Sequence, residues 1–308
     1  MELAVITVRQ VTVLFMMIAA GVLCVRTGAV SPEGKKPFSD LLVYLVVPCM
    51  VVNSYIAEYD ARVFANLLQA FGLSVVLILA GFLICMLATS RFRGRNLPII
   101  RFACIFSNAA YMGFPLIEAL FGKEGLLYAS AYVTVFNIFL WTAGVGLLTG
   151  KSSPRELLHS VFSTPVLPSV LIGILIYLLQ IPVPELLQKP VSMIAAMNTP
   201  LSMFITGMVI AAADLRKLLG NRMVLSVIGM RLFLVPLICI LLAFAAGLSG
   251  MHTEVVLLLE ACPSAAITTV FAVQFGYDED TAAGAVVLTT LLSVITLPLA
   301  AFLITLLL

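Results

Sequence analysis

The chain has 308 residues, of which 62% are hydrophobic and only 10% charged, with a net charge of +2 and a mean hydropathy of +1.16. Soluble domains carry roughly 45–50% apolar residues, so this composition leaves room only for an integral membrane protein. A small net charge without a basic block excludes nucleic acid as a partner.

Apolar runs of about 20 residues, the length that crosses a hydrocarbon core of about 30 Å, recur ten times along the chain. The first covers 4–24. With Glu2 and no cation before Arg9, and with Gly21-Val22-Leu23-Cys24 lacking the small residue expected before a lipidated cysteine, it reads as a helix and not as a cleaved leader. The second, 38–57, holds Val47-Pro48-Cys49-Met50 near its middle, and the third is 64–89. The fourth, 98–121, is interrupted by Ser107–Pro115, SNAAYMGFP, a stretch of amide, small residues, glycine and proline. The fifth, 126–149, carries Asn137 and Thr142. A polar, proline-containing loop, Gly150–His159, then divides the chain into 1–150 and 151–308.

The second half echoes the first. Its runs are 161–180, 191–212, 223–248, 254–275 and 282–307. The seventh carries Thr199-Pro200-Leu201-Ser202, the counterpart of the proline in the second. The ninth is broken at Cys262-Pro263-Ser264, followed by Ala265 and Ala266, matching the break in the fourth. Five helices per half is an odd number, so the second half enters the membrane upside down. The expected fold is all-α, with ten transmembrane helices in two inverted five-helix repeats and broken helices 4 and 9.

Loop charge sets the orientation. Loops after odd-numbered runs hold Arg26, Lys35, Lys36, Arg91, Arg93, Arg95, Lys151, Arg155, Arg216, Lys217 and Arg222, against Arg62, Lys123 and Lys189 after even ones. Positive charge stays inside, so both termini are expected outside the cytoplasm of a multi-pass protein of the cell's inner (plasma) membrane. The acidic loop Tyr277-Asp278-Glu279-Asp280 counts little in that rule.

Irregular backbone at membrane depth is tolerated only where it is buried in protein or lines a cavity. At 1.5 Å per residue, Asn108 and Pro263 each lie about 15 Å into their runs, near the midplane and approached from opposite faces. Helix N-termini freed there carry partial positive charge and suit an anion. Asn108 adds two amide donors, with backbone amides such as that of Ala109 beside it and the Ser264 hydroxyl from the other break. Pro115 and Pro263 shape the backbone, and Gly113 and Pro263 join Asn108, Ala109 and Ser264 as candidate substrate-binding residues. Val51 and Ser202, neighbours of the scaffold prolines, are candidates for the substrate path. Among charges inside the apolar runs, Arg101 and Glu118 lie near helix ends. Arg231 and Glu260 are deeper, and suggest either a packing ion pair or a proton-carrying carboxylate. The six cysteines, Cys24, Cys49, Cys85, Cys104, Cys239 and Cys262, stand singly without CxxC, so no metal or disulfide framework is expected.

The run Asn108-x-x-x-Met112-Gly113-x-Pro115-Leu116 resembles the fourth-helix motif of the auxin efflux carrier family. Gly21, Arg26-x-Gly28, Val47-Pro48, Asn137 with Trp141, Pro263 with Phe271-Ala272, and Leu291–Pro298 extend the resemblance over the whole chain. It implies crossed helices 4 and 9, a scaffold of helices 1, 2, 6 and 7, and a moving unit of helices 3–5 and 8–10. It also implies a homodimer through the scaffold, a substrate carboxylate on Asn108, and a polar support position at Asn137. The long cytoplasmic loop of the plant carriers is absent, and Ser264 stands where they tend to have a larger amide. Members of this length point to small carboxylates such as malate or malonate, not to auxin.

The sequence is therefore that of a secondary transporter of small organic anions, working by an elevator-type movement, with no cofactor and with protons or sodium as candidate coupling ions. A proton or cation exchanger of similar architecture is the alternative, and would lean on Glu260. An intramembrane enzyme would need HExxH, paired aspartates or a serine with a base, and a nucleotide-driven pump a phosphate loop; the sequence has none of these.

Overall fold

A computed structural model describes residues 2–31, 34–150, 165–213 and 220–308. Lys151, Arg155, His159, Arg216 and Lys217, and with them the half-boundary beyond Gly150, lie outside the described residues. The regular elements described are all helical: α1 (Glu2–Arg26), α2 (Lys35–Leu41), α3 (Val47–Tyr55), α4 (Ala61–Ala88), α5 (Leu97–Ile105), α6 (Phe114–Phe139), α7 (Val145–Thr149), α8 (Val166–Leu179), α9 (Glu185–Ala195), α10 (Asn198–Ala211), α11 (Arg222–Gly229), α12 (Val235–Ala245), α13 (Met251–Glu260), α14 (Ile267–Phe275) and α15 (Glu279–Leu307).

Among the described residues, seven helical stretches are long and apolar enough to cross a membrane: Val5–Arg26, Lys36–Tyr55, Ala61–Ala88, Ala109–Thr149, Glu185–Ala211, Arg222–Ala245 and Glu279–Leu307. The ten runs of the sequence do not map one to one onto these. The fourth run is divided between α5 and the start of the Ala109–Thr149 stretch, and the ninth is split into α13 and α14, of 10 and 9 residues. The Ala109–Thr149 stretch has 41 residues, about twice what a bilayer needs. It leaves helical geometry at Gly122 (φ 61°, ψ −148°), between the expected fourth and fifth runs. Positive φ is accessible to glycine without a Cβ clash, so the turn is written into that residue.

Proline explains most of the remaining irregularity. A proline ring lacks the N–H and crowds the carbonyl four residues earlier. Tyr44, Tyr111 and Leu232, four before Pro48, Pro115 and Pro236, each fall inside a π turn, at Leu42–Val46, Ala109–Gly113 and Met230–Leu234. Ala196, four before Pro200, lies in the interruption between α9 and α10. The π turn at Leu140–Gly144 has no such proline, and Pro298 sits in α15 without one.

The helices gather into two sets, which meet where α1 packs along α15. α1 packs along α10, and α3 packs along α8 and α9. The α1–α10 crossing is close enough that a Cβ on Gly207 would lie 2.3 Å from the Ile18 carbonyl oxygen, and one on Gly21 would lie 2.6 Å from that of Phe204. A Cβ on Gly173 in α8 would lie 2.4 Å from the Tyr55 ring. Such small-residue contacts are how membrane helices gain van der Waals packing when lipid supplies no hydrophobic drive. In the other set, α4 packs on α6 and α13, and α15 on α11 and α14. Phe102, Phe106, Phe136 and Phe271 form a ring cluster beside the breaks, with centroids 4.6–5.5 Å apart between touching pairs.

Candidate functional site

The two breaks meet. After α5 the chain turns extended at Phe106 (φ −94°, ψ 118°), and after α13 it loosens from Ala261 to Ala266. Ser107 and Ser264 pair in an isolated antiparallel bridge. The Asn108 N–H donates to the Pro263 carbonyl at 2.7 Å, and the Ala265 N–H to the Phe106 carbonyl at 2.9 Å. The Ser264 N–H donates to Thr289 Oγ1 on α15 at 3.1 Å. Each interruption thus supplies partners that the other has lost, which is what lets unwound backbone persist in a dry interior.

One side of the crossing is built for positive charge. α5 and α13 both end there, leaving carbonyls without intrahelical partners and the negative ends of two helix dipoles. Arg231, fully buried in the π turn of Met230–Leu234, reaches both. Its Nε donates to Cys262 at 3.0 Å, and one terminal nitrogen donates to Cys104 and Ile105 at 3.2 and 2.9 Å. The same nitrogen lies 3.3 Å from Glu260 Oε1, and the other donates to the Glu260 carbonyl. Glu260 Oε2 accepts from the Tyr132 hydroxyl, which lies 3.1 Å from Ser107 Oγ. The Tyr132 proton is spent on Glu260, so Ser107 is the donor in that last contact. Arg231, Glu260, Tyr132 and Ser107 form one buried chain ending beside Asn108.

The other side is formed by the opening of the Ala109–Gly113 turn and of α14. The first N–H groups of the Ala109–Gly113 turn have no carbonyl one turn earlier, whereas in α14 Thr268 and Thr269 donate to the Ala265 and Ala266 carbonyls at 3.0 and 3.3 Å. Asn108 is 5% exposed and, with Tyr111, Thr206, Ala266 and Thr290, lines a cleft of about 10 Å³. That holds about one water, so the cleft is closed around its polar groups. No carboxylate, amine or guanidinium lines it. The Ser264 and Thr290 hydroxyls are buried without a partner.

A family model described as membrane transport protein matches residues 5–301. The chain belongs to this family, the auxin efflux carriers. Relatives cover most of its length. An uncharacterized transporter of Methanothermobacter thermautotrophicus is 24% identical over 95% of this chain and 96% of its own. One of Methanocaldococcus jannaschii is 20% identical over 94% and 96%, and one of Escherichia coli K12 is 21% identical over 89% and 90%.

The crossing places Asn108, Ala109, Pro263 and Ser264 close together, and of these Asn108 lines the cleft. Gly113 sits there for another reason: a Cβ on it would lie 2.4 Å from Leu259 Cδ2, so it permits close approach of the π turn to α13. Arg231 and Glu260 form the ion pair and not an open carboxylate. Val51 is buried on α3 and takes no part in the cleft wall, to which α10 contributes Ile205, Thr206 and Val209. The half-buried Asn137 donates to Val133 within its own helix, and Thr142 to Ile138. Arg101 is held by Thr89 at the end of α4, and exposed Glu118 accepts from Thr199. Ser107, Tyr132 and Thr290 are not distinguished by sequence reasoning. Ser107 is the first residue of the break and Tyr132 carries no spacing signal, whereas Thr290 lies in the Thr289-Thr290 pair of an otherwise apolar run.

Proposed function

We propose that this carrier is a secondary transporter of small organic anions, carboxylates such as malate or malonate, that binds its substrate at the crossing and moves it by an elevator-type displacement. The observation that carries this reading is the pair of breaks joined through backbone hydrogen bonds, with Asn108 at their edge. Two negative helix ends neutralised by Arg231 on one side leave two positive ends and neutral donors on the other. An anion can then be held without a cation in the cleft, and released without breaking an ion pair. The proposed frame is ten transmembrane helices in two inverted halves, 1–150 and 151–308, in the inner (plasma) membrane with both termini outside. The tight α1–α10 and α3–α8 packing supports a rigid scaffold, proposed also as the homodimer face, against which the set containing α4–α7 and α11–α15 moves. Protons or sodium remain the proposed coupling ions. The exchanger alternative is disfavoured because both oxygens of Glu260 are engaged, by Arg231 and Tyr132.

The test is a thermal-shift screen of purified protein against mono- and dicarboxylates, followed by uptake of the hits into proteoliposomes. A ligand at 100 times its Kd stabilises the native state by about 2.7 kcal/mol. Stabilisation and uptake by short carboxylates are expected; stabilisation confined to sodium, with no carboxylate effect, would favour the exchanger.

A further inference from the structure

Several helical threonines spend their hydroxyls on the carbonyl four residues back, Thr12 on Val8, Thr134 on Ser130, Thr206 on Ser202 and Thr289 on Ala285, whereas Thr268, Thr290 and Thr296 are buried with theirs unmet, and of these three Thr290 lines the cleft. That bond is available to any threonine within a helix. Thr290, in the middle of α15, does not make it, although it is 1% exposed and its Oγ1 has no partner at all. Its neighbour Thr289 is committed to the fold, since its Oγ1 also receives the Ser264 N–H. Thr290 lines the same closed cleft as Asn108 and Ala266. A buried hydroxyl left unmet lowers stability, and a ligand oxygen at that point would supply what is missing.

We propose that Thr290 is a substrate-binding residue, its hydroxyl donating to the carboxylate held by Asn108. The proposal rests on the crossing being the substrate site, and defines its chemistry further. The donors are one side-chain amide, one hydroxyl and the opening backbone N–H groups of the Ala109–Gly113 turn, all neutral. Their neutrality suits a single carboxylate, which the cleft, closed here to about one water, would admit only after it opens. The last helix thus takes part in recognition beside the broken helix that carries Asn108.

The test is malonate binding to purified parental protein, Thr290→Val, Thr290→Ser and Asn108→Ala, each measured with and without ligand by thermal unfolding and by titration. Thr290→Val keeps the volume and deletes the unmet hydroxyl. It is expected to unfold at the parental temperature or above without malonate, yet to bind malonate about tenfold more weakly, one hydrogen bond's worth. Thr290→Ser should bind as the parent does. Parental malonate affinity in Thr290→Val, with weakened binding in Asn108→Ala, would overturn the role of Thr290 and leave the site reading standing. A lower unfolding temperature of ligand-free Thr290→Val would also overturn it, by marking the hydroxyl as structural. Parental affinity in both variants, or no malonate effect on the parent, would sink the site reading and this proposal together.

Discussion

Arg231 shows how a guanidinium can be fully buried at a membrane protein's centre. Its desolvation is offset by four backbone carbonyls and one carboxylate, all at the ends of α5 and α13. Removing one partner of a buried pair costs about 3–5 kcal/mol because the other charge stays behind. Arg231→Ala should therefore lower the unfolding temperature sharply in detergent, and Glu260→Gln less so, since an amide can still accept from Arg231. Lysine should not rescue position 231, because an ammonium lacks the planar fork that reaches two helix ends at once. Parental thermal stability in Arg231→Lys would contradict the capping role. The same geometry bears on proton coupling: with Glu260 tied into the ion pair, folded Glu260→Gln is expected to keep the parental pH profile of uptake. A flattened profile would restore the carboxylate as a proton carrier.

At the level of elements, two glycine contacts separate rigid packing from adjustable packing. A Cβ at Gly207 meets backbone, the Ile18 carbonyl, which cannot yield without moving α1 from α10. A Cβ at Gly113 meets the end of the Leu259 side chain, which can rotate. Gly207→Ala should thus destabilise more than Gly113→Ala, whose overpacking cost is about 1–3 kcal/mol; denaturation of the two variants side by side checks the order. Much of this level is legible in sequence. The prolines at 48, 115, 200 and 236 announce where helices loosen, and the Ser107–Pro115 and Cys262–Ser264 breaks announce where function concentrates, because composition alone disfavours helix there. The partners of those breaks are not legible. Which hydroxyl is left unmet, or that Arg231 reaches Cys104 from 127 positions away, depends on tertiary packing that no local pattern records.

At the scale of the molecule, the positive-inside asymmetry predicts that a reporter at Arg93 is cytoplasmic while reporters at Lys123 and Leu308 are external. A cytoplasmic C-terminus would remove a helix or the inversion, and the paired arrangement of the halves with it. The family is legible from the sequence and is borne out by the match over residues 5–301; the number of passes is less directly so, because the breaks divide two of the runs. The proposed anion site unites the scales: helix ends are sorted, negative ones onto Arg231 and positive ones toward Asn108, with no cation lining the cleft. The most direct measurement is malonate uptake by Asn108→Ala in proteoliposomes, normalised to folded protein. Losing a charge-assisted hydrogen bond of about 1.5–3 kcal/mol should weaken binding on the order of ten- to a hundredfold, so uptake at limiting substrate should fall to a small fraction of the parental rate. Uptake at the parental rate by a properly folded alanine variant would mean that the crossing is not where this carrier holds its cargo.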